Sequence, residues 1–241
     1  MSTNKKISIK KFVENIGNIS DKTCDDSKIK LYPKQEYVLS KWANNRYNIT
    51  IHSRQTGGSM LGIIYALYDA IFNNNDVLIM SVKFNMSREL MTRLLKIINS
   101  SEYLSAKVSV YDISSISFIN NGSITFTELS PNAIRGKCVD TVIVDNIDYS
   151  RNASDCYRSI IPIVSCYKNS KFILFGTPSS KDSTMNEIFN NPNDFSKTKI
   201  LWNEVFKRDA KWKTEMMQML GGSSDKKLAQ TIWNKEYALK Y

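Results

Sequence analysis

The chain has 241 residues, enough for one large α/β domain or two small ones. Apolar residues make up 42% and aromatic residues 11%, which excludes a disordered or fibrous chain. Thirty-three Lys and Arg against 23 Asp and Glu leave a net charge of +10. That surplus points to a polyanionic partner, nucleic acid first, although no dense basic run marks a patch and a Lys- and Asn-rich coding bias gives the same surplus.

Residues 1–30 form a polar N-terminal arm with a weak apolar pattern at Ile7, Ile9, Phe12, Val13 and Ile16, read as a short helix or arm, followed by a loop through Asp25-Asp26-Ser27. Lys5, Lys6, Lys10 and Lys11 are followed by no apolar run of signal-peptide type. From Leu31 the pattern sharpens. Pro33 can open a helix, with Tyr37, Val38 and Trp42 on one face. Asn48-Ile49-Thr50-Ile51 reads as a short strand running into Ser53-Arg54-Gln55-Thr56-Gly57-Gly58-Ser59 and then an apolar helix over 60–72. That stretch carries Asp69 and is too short to span a bilayer, so a soluble chain is expected. Residues 77–82 read as a buried strand, 86–98 as an amphipathic helix, and 108–127 as a hairpin turning at Asn120-Asn121-Gly122-Ser123. Residues 141–144 and 172–175 are continuous apolar strands; 154–167 is a helix interrupted or restarted at Pro162. In the tail, Trp202, Trp212 and Trp233 lie in amphipathic or extended context, and a last helix runs from about Asp225 to Tyr241 after a turn at Gly221-Gly222-Ser223-Ser224.

Strands separated by helical patterns imply crossover units and a mainly parallel sheet covered on both faces. Cys24, Cys138, Cys156 and Cys166 contain no C-x-x-C pair, and His52 is the lone histidine, so reduced thiols without structural zinc are expected.

The strand–loop–helix at 49–72 has the layout of a phosphate-binding loop, in which backbone N–H groups and a helix N-terminus face the anion. Set against G-x-x-x-x-G-K-[ST], residues 52–59 keep the second glycine and the hydroxyl, but His52 replaces the first glycine and Gly58 the lysine. On that spacing alone an ordinary strand-to-helix turn with Ser59 as cap remains open.

Five motifs in order are more specific. Residues 53–59 are similar to the S-R-Q-x-G-K-T loop of the large terminase subunits of tailed, myovirus-type phages. Leu31-Tyr32-Pro33-Lys34-Gln35 looks like that family's glutamine segment. Ser130-Pro131-Asn132-Ala133-Ile134-Arg135-Gly136 resembles its S-x-x-A-x-R-G motif. Thr141-Val142-Ile143-Val144-Asp145 looks like its Walker B strand, and Phe175-Gly176-Thr177-Pro178 resembles its coupling motif. Trp202-Asn203 and Gly222-Ser223-Ser224 follow in the family's order.

The resemblance covers residues 31 to 241 and implies an α/β fold, a P-loop NTPase of RecA/ASCE type: a three-layer sandwich with a core over 31–195, a small C-terminal subdomain over 196–241 and no nuclease domain. It implies ATP and Mg²⁺ as cofactors. Gln35 would read the adenine; Ser53, Arg54, Gln55, Thr56, Gly57, Gly58 and Ser59 would hold the phosphates; Ser59 and Asp145 would hold the metal. Arg54 would act on the γ-phosphate and Thr177 would couple hydrolysis to movement. The implied partners are double-stranded DNA, the portal protein, the small terminase subunit and further copies in a pentamer on the portal, in the cytoplasm of an infected host, with no membrane.

Two departures bear on the chemistry. A lysine at position 58 would add ~1.5–3 kcal/mol of charge-assisted binding and more in a transition state. At position 146 the family has a glutamate that positions water; Asn146 cannot take a proton, a loss of ~10²–10⁴ in rate. Asp148 is a possible substitute. Together these set a packaging-motor ATPase against a non-catalytic pseudo-ATPase that binds motor partners, nucleotide or DNA. Bland readings stay open beside each residue: Asp145 as a strand-end cap, Arg135 in a surface ion pair, Gln35 as a solvated helix residue, Thr177-Pro178 as a strand end, His52 as a packed neighbour of the loop, and the tryptophans as packing.

Overall fold

The computed structural model describes residues 7–15, 31–221 and 225–241. Lys5, Lys6, Ile16, Cys24, the loop expected through Asp25-Asp26-Ser27 and Gly222-Ser223-Ser224 lie outside them.

Among the described residues the helices are α1 (Ile9–Asn15), α2 (Pro33–Asn44), α3 (Gly58–Phe72), α4 (Phe84–Asn99), α5 (Glu102–Ser105), α6 (Pro131–Ile134), α7 (Ala153–Ser165), α8 (Thr184–Asn190), α9 (Ala210–Gly221) and α10 (Lys226–Trp233). The strands are β1 (Tyr47–His52), β2 (Asp76–Ser81), β3 (Val108–Tyr111), β4 (Ser115–Phe118), β5 (Ser123–Glu128), β6 (Thr141–Asp145), β7 (Lys171–Gly176) and β8 (Ser196–Ile200). They form one sheet in the order β3-β4-β5-β2-β6-β7-β1-β8. From β5 to β8 every neighbouring pair is parallel; β3 and β4 add an antiparallel edge. The fold is therefore the expected α/β sandwich on a mainly parallel sheet.

Alternation along the strands feeds two cores. One face packs against α1 to α4, with Trp42, Leu61, Ile64 and Phe175 at its centre. The other packs against α6, α7 and α8 through Ile49, Val142, Leu174, Ile160 and Ile163. All five residues of β6 are buried, which is why its centre, Val142-Ile143-Val144, is an unbroken apolar run. Helix α3 is buried nearly all round because it lies between the sheet and the helices outside it. Its far end is anchored by Asp69, which accepts from Thr141 Oγ1 at 2.6 Å and from Asn73 Nδ2 at 2.6 Å.

Three expectations are corrected. Residues 108–127 hold parts of three strands, not a two-stranded hairpin. The turn at Asn120–Ser123 does join β4 to β5, but a second turn splits off β3, closed by Asp112 N donating to Ser115 O at 2.8 Å. Helix α7 runs through Pro162 without a break, because Pro162 sits on the exposed face where water can serve the carbonyl its missing N–H leaves. Cys138 and Cys166 are joined in a disulfide and not reduced, because the turn entering β6 and the end of α7 bring their Cα atoms to 5.8 Å; Cys156 is free and buried. No helix among the described residues is long and apolar enough to cross a membrane.

Near the carboxyl end of the strands, Phe175 stacks on Trp42 at 5.5 Å and on His52 at 6.3 Å, and a Cβ at Gly62 would strike its ring. Helix α3 can approach β7 only because residue 62 has no side chain. The ring is 1% exposed. Phe175→Ala is expected to lower the unfolding free energy by ~3–5 kcal/mol, read from urea unfolding midpoints at unchanged m.

Candidate functional site

Strands β6, β7 and β1 are adjacent, so their carboxyl ends bring Asp145-Asn146, Gly176-Thr177 and His52-Ser53 together. Open α/β sheets bind ligands at such a place. The loop after β1 turns through Gln55 at φ 56° and Gly57 at φ 82°, both left-handed, and enters α3 at Gly58. The first N–H groups of α3 have no partner within the helix and face an incoming anion. Thr56 Oγ1 donates to the carbonyl of Ser53 at 2.9 Å and rigidifies the turn.

Gln35, on the first turn of α2, braces this loop. Its Nε2 donates to the carbonyl of Thr56 at 2.9 Å and its Oε1 accepts from Tyr32 N at 3.0 Å. A Cβ at Gly57 would strike Gln35 Nε2, so the glycine is required by the brace as well as by its backbone angle. The amide cast as an adenine reader is thus engaged with the loop itself.

His52 and Gly58 are a matched pair. A Cβ built at Gly58 would fall on the His52 ring, with Nε2 the nearest atom. The imidazole fills the direction in which a lysine at position 58 would leave the backbone. It is 6% exposed, and Nδ1 lies 2.9 Å from the carbonyl of Ser53. A carbonyl only accepts, so Nδ1 carries the hydrogen. Nε2 is buried with no partner. Burial lowers the imidazole pKa, against the bond to Ser53, so the ring is neutral at pH 7.

The ends of β6 and β7 are cross-linked. Ser59 Oγ donates to Asp145 Oδ2 at 2.7 Å, which puts the two expected metal ligands in contact. Burial pushes the Asp145 carboxyl up to about 6, while the bond from Ser59 and the charge of Arg93 on α4 pull it down. Asn146, left-handed at φ 58°, donates from Nδ2 to Asp145 Oδ1, and its Oδ1 accepts from Thr177 N at 3.1 Å. Thr177 Oγ1 donates to the carbonyl of His52 at 2.7 Å. Thr177 therefore ties the ends of all three strands together. Asp148 accepts from Ser179 N at 3.2 Å and Met185 N at 3.0 Å, so both its oxygens organise the loop after β7.

The tail closes over the loop. Ser53 Oγ donates to the carbonyl of Tyr237, and Arg54 N donates to the carbonyl of Glu236 at 2.9 Å. The half-exposed Arg54 guanidinium pairs with Glu236 at 2.5 Å. Arg208 donates to the carbonyls of Arg54 at 3.2 Å and Gln55 at 2.6 Å. Trp202, Trp212, Trp233 and Tyr237 pack on one another and hold this segment together. Arg135, at the end of α6, is exposed. Sequence reasoning brought the loop, Asp145, Asn146 and Thr177 to one place. It missed the reciprocal fit of His52 and Gly58, for which the only signal was two departures within one eight-residue pattern, and it missed Glu236, Tyr237 and Arg208, which carry no motif.

No protein-family model matches the sequence. Solved structures do. An arginine-to-alanine mutant of the large terminase ATPase domain of Thermus phage P74-26 superposes with a TM-score of 0.65 at 12% identity, covering 88% of this chain and 94% of that one. The large terminase of bacteriophage HK97 gives 0.70 at 13% identity, covering 96% of this chain and 55% of that one. The chain has the fold of a large-terminase ATPase domain. The large terminase of a thermophilic bacteriophage, in complex with ATP-γ-S, gives 0.65 at 13% identity over 87% of this chain and 52% of that one. The chain thus spans about half the length of the HK97 and thermophilic-phage terminases and nearly all of the P74-26 ATPase domain.

Two consequences of this geometry are measurable. An unfolded aspartate titrates near 3.8 and the folded Asp145 near 6. Between those values the folded chain holds a proton that the unfolded chain has lost, so stability falls as pH rises from about 4 to about 6, by up to roughly 3 kcal/mol. Asp145→Asn is expected to remove that fall when unfolding free energies are compared at pH 4 and pH 7. Secondly, Gly58→Lys alone is expected to destabilise by ~1–3 kcal/mol through the clash with His52. The loss should shrink in the His52→Gly background, as a non-additive double-mutant cycle.

Proposed function

We propose that the chain binds the phosphates of a nucleotide at the loop 53–59, as an ATPase-like domain of a phage DNA-packaging motor, and does so without hydrolysing it. The supporting fold is that of terminase ATPase domains, and one large terminase of this kind, from a thermophilic bacteriophage, is described in complex with ATP-γ-S. The loop 53–57, the left-handed Gly57 and the N-terminus of α3 suit phosphate oxygens. Ser59 and Asp145 are the hard oxygen donors that Mg²⁺ takes one or two at a time from a protein. When bound, the ion would neutralise phosphate charge.

One observation carries the non-hydrolytic reading. Asn146 stands where a base is needed, and its amide is spent at both ends, on Asp145 and on Thr177 N. The nearby carboxylate of Asp148 is likewise committed to two backbone N–H groups. An amide cannot take a proton from water, the two bonds aim the Asp148 carboxylate at the loop after β7, and the lysine that would stabilise the transferring phosphoryl group is a glycine. The partners this reading implies are double-stranded DNA, drawn by the +10 charge, the portal protein, the small terminase subunit and further copies on the portal ring.

The contact of Ser59 with Asp145 favours a second reading, a working ATPase motor. Calorimetry with Mg-ATP, paired with phosphate release with and without double-stranded DNA, separates the two. Binding is expected, with turnover no higher than in Ser59→Ala/Asp145→Ala. Turnover above that control makes the chain a working motor.

A further inference from the structure

The imidazole of His52 remains without a role. It is the chain's single histidine, it lies almost fully buried, and its Nε2 has no partner. A residue placed only to fill space under α3 could have been apolar; Phe175, stacked on the ring's other side, already is. The tautomer sharpens the point. Nδ1–H is donated to Ser53, so Nε2 of the neutral ring presents a bare lone pair beside Gly58 at the N-terminus of α3. That position calls for a donor: it is where the pattern's lysine would start toward the β and γ phosphates.

We infer that His52 takes the place of the missing lysine, binding a nucleotide's phosphate through Nε2 as an imidazolium that gains its proton when the nucleotide binds. This rests on the nucleotide-binding reading above and specifies how that site meets the phosphate's charge. Protonation turns Nε2 from an orphaned acceptor into an N–H donor bearing a positive charge, while Nδ1–H keeps its bond to Ser53. The proton comes from solvent and no bond in the nucleotide changes. Without ligand the ring stays neutral, because burial disfavours the charge and only the Ser53 carbonyl opposes that effect. The charged groups on the surrounding elements are otherwise engaged. Asp145 on β6 is bonded to Ser59 and Asn146, Arg54 in the loop is paired with Glu236 of the tail, and Lys171 on β7 donates to the carbonyls of Trp42 and Ala43. Lys199, a further cation on the neighbouring edge strand, is itself disfavoured by burial and by Lys240. The phosphate supplies the counter-charge that the ring lacks in the free protein. The Gly58 and His52 departures are then one change: the cation has moved from the helix to the strand.

A lone histidine gives a single ring signal, so the unmodified protein can be followed by NMR through a pH titration, free and saturated with ADP or with pyrophosphate. The His52 pKa is expected to rise on saturation. ADP affinity measured by calorimetry should weaken by about tenfold per pH unit between the free and bound pKa values, relative to His52→Gln. That variant keeps any contribution from the ligand's own titration and lacks the histidine's. Proton uptake, read from binding heats in two buffers of different ionisation enthalpy, should vanish in the variant. If ADP binds while the His52 signal keeps its free pKa, or if the variant matches the unmodified chain at every pH, the histidine assignment is overturned and the nucleotide reading stands. If neither ADP nor pyrophosphate binds anywhere from about pH 5.5 to about 8, the range over which an imidazole titrates, both fall.

Discussion

The imidazole of His52 is wedged between the ring of Phe175 and the backbone of Gly58, and much of the molecule is arranged around that contact. It fixes how closely α3 approaches β1 and β7, and it forbids any side chain at position 58. With Trp42 stacked behind Phe175, it joins the loop between β1 and α3 to the larger of the two cores. Packing at this density does not yield to one residue at a time. A glycine at 58 is therefore what the imidazole demands, and reading it as simple decay of a lysine misses the partner residue.

The same economy of partners extends across the strand ends. Asn146 links Asp145 to Thr177, Thr177 links β7 to β1, and Ser59 closes the circuit from α3. Each of these polar groups is satisfied by a neighbour, as burial requires. A glutamate at 146 would put a second carboxylate against one that burial already holds near 6, and would lose the amide's donor. The tail adds a further constraint, since Glu236 pairs with Arg54 Nε and its carbonyl accepts from Arg54 N. The site is organised by bonds among its own residues.

Much of the architecture was legible because buried parallel strands leave an unmistakable trace. β2, β6 and β7 hold continuous apolar runs, and α3 is apolar almost all round, because both sheet faces are covered. Where that condition fails, so does the reading. β8, Ser-Lys-Thr-Lys-Ile, is an edge strand whose polar residues are partly exposed, and nothing in its pattern distinguishes it from a loop. β3 is mostly exposed for the same reason. The Cys138–Cys166 pairing spans 28 residues and depends on where α7 ends relative to β6, which no local pattern encodes.

For the site, the residues alone determined the order of the motifs, the strand–loop–helix layout over 49–72 and the two chemical departures at 58 and 146, because these depend on residue type and spacing along the chain. Only the tertiary structure decided what those departures mean. That His52 fills the space over Gly58, that Gln35 braces the loop, that Asn146 is a clamp and that Glu236 holds Arg54 all depend on contacts between segments from 6 to 182 residues apart in the chain. Spacing along a strand or helix follows from a fixed backbone period, so it can be read from the chain. Contacts between elements follow from how two cores pack against one sheet, which appears only when the chain is folded.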